Sequence, residues 1–403
     1  MKKKLLIIGI IMNSAGTEKS FLSFASALDY DRFDVDLLLA KKQGAFMELI
    51  PPQINVLEMP EYGEFFLLSG KNAFGNIWNT FIKRKPSTFF EVLPYFLKLI
   101  AVPKKRTETA IKLWIRMLRH FTPVTAEYDA AVAYWGDRAV FYMVDKVLNA
   151  KRKIAWMHFD YDTPPRDDTI YGHYFSKCDA VVNVSEAVDS ALRKKLPAVA
   201  GKCSVIENIL DAQAIRRMAL DGPTFPDPAF KGTRILTVGR ISEQKGVDFI
   251  PIIVANLVKQ RYNVRWYIVG DGDEAEKGRL ADMILKLDLS EHIILLGTTL
   301  NPYTYMRDCT IYCQPSRYEG KPIAVEEAKI MRCPIVAANY LSAAEQLDSG
   351  RYGVIADIAA EPLFDAIKSL VDEPILRDNL VRTLHNELNG NADEIEKFYK
   401  LLE

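Results

Sequence analysis

Residues 312–338 read Tyr312-Cys-Gln-Pro-Ser-Arg-Tyr-Glu-Gly-Lys-Pro-Ile-Ala-Val-Glu-Glu-Ala-Lys-Ile-Met-Arg-Cys-Pro-Ile-Val-Ala-Ala338. An apolar run, Cys309 to Cys313, ends in a turn made of Pro315, Ser316 and Gly320. Pro322 suits the first helical position, where its missing N–H would be orphaned anyway. The helix stops before Cys333-Pro334, and Ile335-Val-Ala-Ala338 resumes as a short buried strand. This pattern predicts one strand–loop–helix–strand unit of a parallel sheet. Its loop and helix N-terminus lie at the carboxyl ends of the strands, the edge where open α/β sheets bind ligands.

The phase of this helix separates its two adjacent acids. At about 100° per residue, Ala324, Glu327, Ala328 and Met331 share one stripe, while Glu326 falls on the other side near Lys329 and Ile330. Small and apolar neighbours point Glu327 inward, and a buried lone carboxylate is costly without a ligand or a partner. Glu319 is a second acid beside the same helix start. Glu319 and Glu327 fit the E-x7-E motif of retaining GT-B-fold glycosyltransferases, and Ser316-x-x-Glu319-Gly320 resembles the fuller signature of glycosyltransferase family 4. The resemblance implies that Glu327 holds the nucleotide ribose and Glu319 contacts the donor sugar. It also implies that the N–H groups near Ile323 and Ala324 hold the distal phosphate, a role that suits the positive end of a helix dipole.

Composition sets the frame for this reading. A chain of 403 residues, 49% apolar and 26% charged, suits a globular protein of two domains. Lysine plus arginine equals aspartate plus glutamate at 52 each, so there is no global bias toward nucleic acid. The five cysteines include no C-x-x-C pair and read as buried thiols of a reducing, cytoplasmic compartment. Leu5–Met12 is too short for a secretory leader without a cleavage site behind it, and reads as a first strand.

Taken in order, Lys4–Ile11 is a strand and Asn13–Lys19 a turn into a helix over Ser20–Leu28. The dinucleotide fingerprint is absent, which argues against a nicotinamide enzyme. In family 4 this loop carries Gly-Gly-x-Glu near the donor phosphates. Ala15-Gly16-Thr17-Glu18 keeps the second glycine, so Gly16 carries over. Phe33–Leu39 and Ile54–Leu57 continue as strands, and residues 61–127 break the rhythm as an irregular basic and aromatic insertion. Asp129–Tyr134 and Lys153–Met157 follow as strands around a helix over 137–148. His158, just past the second of them, matches a family histidine beside the donor sugar, although strand-end histidines are also commonly structural. Asp160 and Asp162 are weaker candidates for acceptor hydroxyls.

Residues 221–228 are the richest turn cluster, so 216–228 is the expected linker between an acceptor-side domain (1–215 with 391–403) and a donor domain (229–390). Both are expected to be Rossmann-like and to face each other across a cleft, as in the α/β GT-B architecture. Gly239-Arg240 with Lys245-Gly246 matches the family's grip on the leaving diphosphate, where two fixed cations stabilise the charge that develops. Thr298, after the strand Ile293–Leu296, joins the donor-binding set. Asp271-Gly-Asp273 looks like a metal motif of another fold, but it occupies a family 4 loop that carries no metal. With two cations in place a divalent ion is redundant, so no metal or other cofactor is expected. One departure stands out: Asn339–Glu345 replaces the family's glycine-rich loop, altering the expected back of the donor pocket.

The expected activity is retaining, metal-independent transfer from a nucleotide-sugar, UDP-linked in most of the family, to a glycan or lipid-linked acceptor of bacterial polysaccharide synthesis. The alternatives are a non-catalytic GT-B subunit that stabilises a partner transferase, and a sugar-nucleotide epimerase of the same architecture. Residues 81–120 hold ten basic side chains against Glu91 and Glu108, a net of 10 − 2 = +8. Ile111, Trp114, Ile115 and Leu118 form one stripe, with Lys112, Arg116 and Arg119 beside it. Such a helix either lies on an anionic membrane at the inner face of the cell membrane or packs its stripe on the first domain.

Overall fold

The computed structural model describes residues 2–13, 15–59, 75, 77–83, 85–102, 106–387 and 390–403. The chain opens with β1 (Lys3–Gly9), α1 (Gly16–Ala27), β2 (Phe33–Leu39) and β3 (Ile54–Glu58). Next come α2 (Thr88–Ala101), α3 (Arg106–Leu118), β4 (Val124–Ala133), α4 (Asp137–Lys146) and β5 (Val147–Met157). The first half closes with α5 (Asp168–Ser176), β6 (Ala180–Asn183), α6 (Glu186–Lys195), β7 (Cys203–Val205) and α7 (Ala212–Met218). The second half starts with β8 (Thr233–Val238), α8 (Phe249–Lys259), β9 (Val264–Val269), α9 (Glu274–Lys286) and β10 (Ile293–Gly297). After these come α10 (Tyr303–Asp308), β11 (Ile311–Gln314), α11 (Ile323–Ile330), β12 (Ile335–Ala338), α12 (Ala343–Gln346) and β13 (Val354–Ala356). The chain ends with α13 (Ala360–Asp372), α14 (Pro374–Glu387) and α15 (Glu394–Leu401).

Two parallel sheets result. The first runs β3-β2-β1-β4-β5-β6-β7 and the second β10-β9-β8-β11-β12-β13. Strands covered on both faces need continuous apolar runs rather than alternation. Leu5–Ile8 in β1 and Ile335–Ala338 in β12 are fully buried accordingly. Each sheet reverses its strand order at one point, between β1 and β4 in the first and between β8 and β11 in the second. Chains leaving the strands there part to opposite faces and open a crevice. The protein thus consists of two Rossmann-like halves. The terminal helix α15 returns to the first: Ile395, Phe398 and Tyr399 join its core, with the Phe398 ring 5.0 Å from that of Phe24.

Several elements differ from expectation. Helix α1 starts at Gly16 rather than Ser20. Tertiary bonds hold its first turns, since Ser20 Oγ donates to Asn208 Oδ1 at 2.7 Å and lies 2.8 Å from Tyr134 Oη. Strand β5 begins at Val147 because it pairs along the full length of β4. The expected linker overlaps the end of α7. The described part of the insertion is mostly helical rather than irregular and its last residues open β4, while 61–74, 76, 84 and 103–105 lie outside the described residues.

The stripe proposed for a membrane turns inward. Trp114, Met117 and Leu118 of α3 are buried in the first core, with Ile111 and Ile115 packed against it. The adjacent cations are neutralised within the protein: Lys112 pairs with Glu108 at 2.5 Å and Asp167 at 3.1 Å, while Arg116 and Arg119 both reach Glu91. It is α2 that exposes apolar side chains, with Phe90 75%, Leu97 60% and Ile100 74% accessible. Lys104 and Lys105 lie outside the described residues.

Candidate active site

The two switch points face each other, and the predicted site residues sit on the loops leaving them. In the second half, the loop after β8 carries Arg240 and Lys245, and the loop after β11 carries Ser316 and Glu319. Gly246 ends the first loop at φ +66°, a left-handed conformation that favours glycine, and a Cβ there would lie 2.0 Å from the Pro315 carbonyl oxygen. That close approach brings the loops together. Lys245 Nζ donates to Glu319 Oε1 at 2.5 Å, and Ser316 Oγ donates to the same oxygen at 2.7 Å. Gln314 Nε2 lies 3.3 Å from that oxygen and also donates to Ser316 Oγ, so the Glu319 carboxylate is held from three sides. Arg240 is exposed beside this cluster, with one N–H 3.3 Å from Gln244 Oε1.

On α11, Glu327 points inward as its helical phase requires and is only 1% exposed. Its Oε1 accepts the Tyr303 hydroxyl at 2.9 Å and pairs with Lys19 Nζ, from the first half, at 2.5 Å. Burial, then the neighbouring carboxylate, push the Tyr303 hydroxyl well above its usual pKa, so it stays a proton donor. Glu326 leaves the helix on the opposite side, toward Lys329 at 2.9 Å and Gln346 at 3.0 Å. It is largely buried there. Burial alone would raise its pKa, but Lys329 and Lys321 hold it below the usual range. Ile323 and Ala324 occupy the first turn of α11, and a Cβ on Gly16 would lie 3.8 Å from Ile323 Cγ2. The two expected phosphate-facing positions therefore meet across the cleft.

A cavity of about 320 Å³ opens beside Glu319. Its walls are Thr17, Trp135, Gly136, Asp137 and His158–Asp160 from the first half, and Gln244 and Tyr318–Gly320 from the second. Gly320 makes this contact possible, because a Cβ there would sit 2.5 Å from the His158 carbonyl oxygen. His158 is half-buried against Tyr134, ring centroids 4.7 Å apart, and burial of its ring lowers its pKa to about 3. It is therefore a neutral imidazole at working pH, and its Nε2 has no hydrogen-bond partner among the described residues. Glu18, in the first turn of α1, is buried enough to be pushed up to about 7, with Arg240 among the groups opposing that rise.

Two expected positions fall elsewhere. Asp162 is exposed, pairs with Lys195 at 3.3 Å and does not line the cavity. Asp160 does line it, but its carboxylate already accepts the Asp162 N–H at 2.9 Å. Thr298 is exposed beyond the edge strand β10, outside the cavity wall. Asp273 caps α9 by accepting the Glu276 N–H at 2.8 Å, and Asp271 pairs with Lys277 at 3.1 Å. Glu345 does not reach the donor pocket. It crosses the cleft and accepts the Glu186 and Ala187 N–H groups at 3.1 and 2.8 Å, where the N-terminus of α6 attracts an anion.

Sequence reasoning missed Lys19, Tyr303, Trp135, Asp137 and Tyr318. Trp135-Gly136-Asp137 was findable, since it directly follows the strand at a switch point. Lys19 and Tyr303 carry no local signal, because their partner Glu327 is distant in sequence.

Residues 227–385 match the family model described as Glycosyl transferases group 1. A transferase from Campylobacter jejuni, N-acetylgalactosamine-N,N'-diacetylbacillosaminyl-diphospho-undecaprenol 4-alpha-N-acetylgalactosaminyltransferase, is 26% identical over 198 residues. That match spans 49% of this chain and half the length of the relative. An uncharacterized glycosyltransferase of Haemophilus influenzae is 25% identical over 352 residues, 86% of this chain and 83% of its own. Among solved structures, Anabaena Alr3699/HepE in complex with UDP and glucose superposes with a TM-score of 0.70 at 16% identity, covering 99% of both chains. The second half thus matches the glycosyltransferase group 1 model, and the chain as a whole has the GT-B fold.

Proposed function

We propose that the protein is a retaining glycosyltransferase of family 4, moving a sugar from a UDP-linked donor to a glycan or lipid-linked acceptor in bacterial polysaccharide synthesis. The observation that carries this reading is the convergence of Arg240, Lys245, Glu319 and Glu327 on one cleft with a sugar-sized cavity beside them. A scaffold subunit has no need of that set together with a second cavity wall from the first half. Glu327 takes the ribose hydroxyls and Glu319 a donor-sugar hydroxyl. Arg240 and Lys245 take the diphosphate, and the amides near Ile323, Ala324 and Gly16 complete its cradle. The acceptor enters the cavity over Trp135 and Asp137. Its hydroxyl oxygen bonds to the anomeric carbon on the face the diphosphate leaves, and its proton passes to the departing phosphate oxygen. The fixed cations stabilise the growing charge on the diphosphate without a metal ion. His158, neutral, presents a polar atom to the sugar.

The reading includes peripheral attachment to the inner face of the cell membrane. Its support is the apolar outer face of α2, flanked by exposed Lys83, Lys85 and Lys98. The test of function is a screen of UDP-, GDP- and ADP-sugars for slow hydrolysis, with the anomer of the first product read by NMR. Hydrolysis of a UDP-sugar with initial retention is expected. No turnover of any donor, or release of the inverted anomer, overturns it.

A further inference from the structure

The carboxylate proposed to hold the ribose is already paired, with a side chain of the opposite half. We infer that Lys19 is a latch that closes the donor site and that the nucleotide must displace. The inference rests on the proposed role of Glu327. Lys19 Nζ lies 2.5 Å from Glu327 Oε1 and stands over the Tyr303 ring, 4.4 Å from its centroid. The same carboxylate oxygen takes the Tyr303 hydroxyl. With Glu327 at 1% and Lys19 at 20% exposure, this is no solvated surface pair. A ribose hydroxyl cannot take Oε1 until the ammonium leaves.

Displacement has a consequence for the whole cleft, because Lys19 belongs to α1 and Glu327 to α11. Other contacts cross beside it. Lys321 reaches Glu207 at 2.7 Å, Ser185 Oγ lies 3.3 Å from the Gly320 carbonyl oxygen, and Glu345 caps α6. Among these, the Lys19 contact is the one made by a donor-binding residue itself. Closure and nucleotide binding therefore compete for one carboxylate. The free enzyme divides between a latched state that excludes ribose and an open state that admits it. Apparent affinity is then the intrinsic affinity reduced by the fraction of open protein. Glu327 satisfied by lysine also avoids an uncompensated buried charge while the site is empty.

The test measures binding of UDP, GDP and ADP by calorimetry, following whichever the wild type binds most tightly. Lys19→Met removes the latch and should tighten that affinity about three- to tenfold, while Lys19→Arg, which keeps the pair, should match wild type. The nucleotide-free Lys19→Met protein should also show a larger radius of gyration in solution scattering. Unchanged or weaker affinity in Lys19→Met, with Glu327→Ala weakening binding as expected, overturns the latch and leaves the proposed function standing. Weaker affinity in particular would make Lys19 a nucleotide ligand. No nucleotide binding by wild type and Lys19→Met alike overturns both. Should Lys19→Met melt below the assay temperature, Lys19→Gln carries the same expectations.

Discussion

Lys245 and Glu319 form a 2.5 Å ion pair that joins the loop after β8 to the loop after β11. The cation proposed for the diphosphate and the acid proposed for the sugar thus neutralise each other. Ser316 and Gln314 fix the acid from behind, so the pair is held in place before any donor arrives. Such preorganisation lets the cation act on charge that appears only as the sugar–phosphate bond breaks.

Arg240→Ala and Lys245→Ala should each lower turnover by roughly two orders of magnitude. EDTA should leave the wild type active. Steady-state rates with the best donor check both. Activity lost to EDTA and restored by Mg²⁺ or Mn²⁺ would sink the metal-free mechanism and reopen Asp271 and Asp273.

Glu327→Ala should weaken nucleotide binding by about tenfold or more, as expected for loss of charge-assisted hydrogen bonds. Glu326→Ala should spare affinity but lower the melting temperature by a few degrees, because it deprives buried Lys329 and Lys321 of a counter-charge. Calorimetry and thermal melts on both variants decide it. Equal loss of affinity at unchanged folding would mean that the wrong glutamate carries the ribose.

Glu18 has a folded-state pKa raised from 4.5 to about 7, chiefly by burial. A raised value means that the folded protein binds the proton more tightly than the unfolded chain. The resulting stability is full below pH 4.5 and is lost as pH climbs through 7. Glu18→Gln cannot ionise, so its melting temperature should gain on the wild type across that window. Parallel melting curves from pH 4.5 to 8 would rule out this account of Glu18.

Wild-type protein should pellet with vesicles containing anionic lipid at low salt and be released by high salt. Each basic side chain near such a surface contributes about 1 kcal/mol. Phe90→Glu/Leu97→Glu should reduce pelleting, because it removes the exposed apolar face of α2. Trp114→Glu is not a usable probe, since Trp114 is buried in the core. Protein that stays in the supernatant in every condition defeats the membrane proposal.

The sequence by itself determined the periodic elements and the inward direction of Glu327. Apolar runs of four to seven residues between turn signals can only be strands covered on both sides. The stripe of Ala324, Glu327 and Ala328 leaves one helix phase open. Ser316, Glu319, Arg240 and Lys245 were legible through their resemblance to family motifs, in loops that follow strand ends at the sheet edge. Only the tertiary structure decided what those groups touch. Lys19 meets Glu327 across 308 positions of sequence, and Glu345 meets the N-terminus of α6 across 159. The amphipathic stripe of α3 read equally well as lipid-facing or core-facing, because periodicity records that a face is apolar and not what covers it. Here the helices α2 and α4 of the first half cover it, with the Trp114 ring 6.2 Å from that of Phe141, and the exposed apolar face fell to α2 instead.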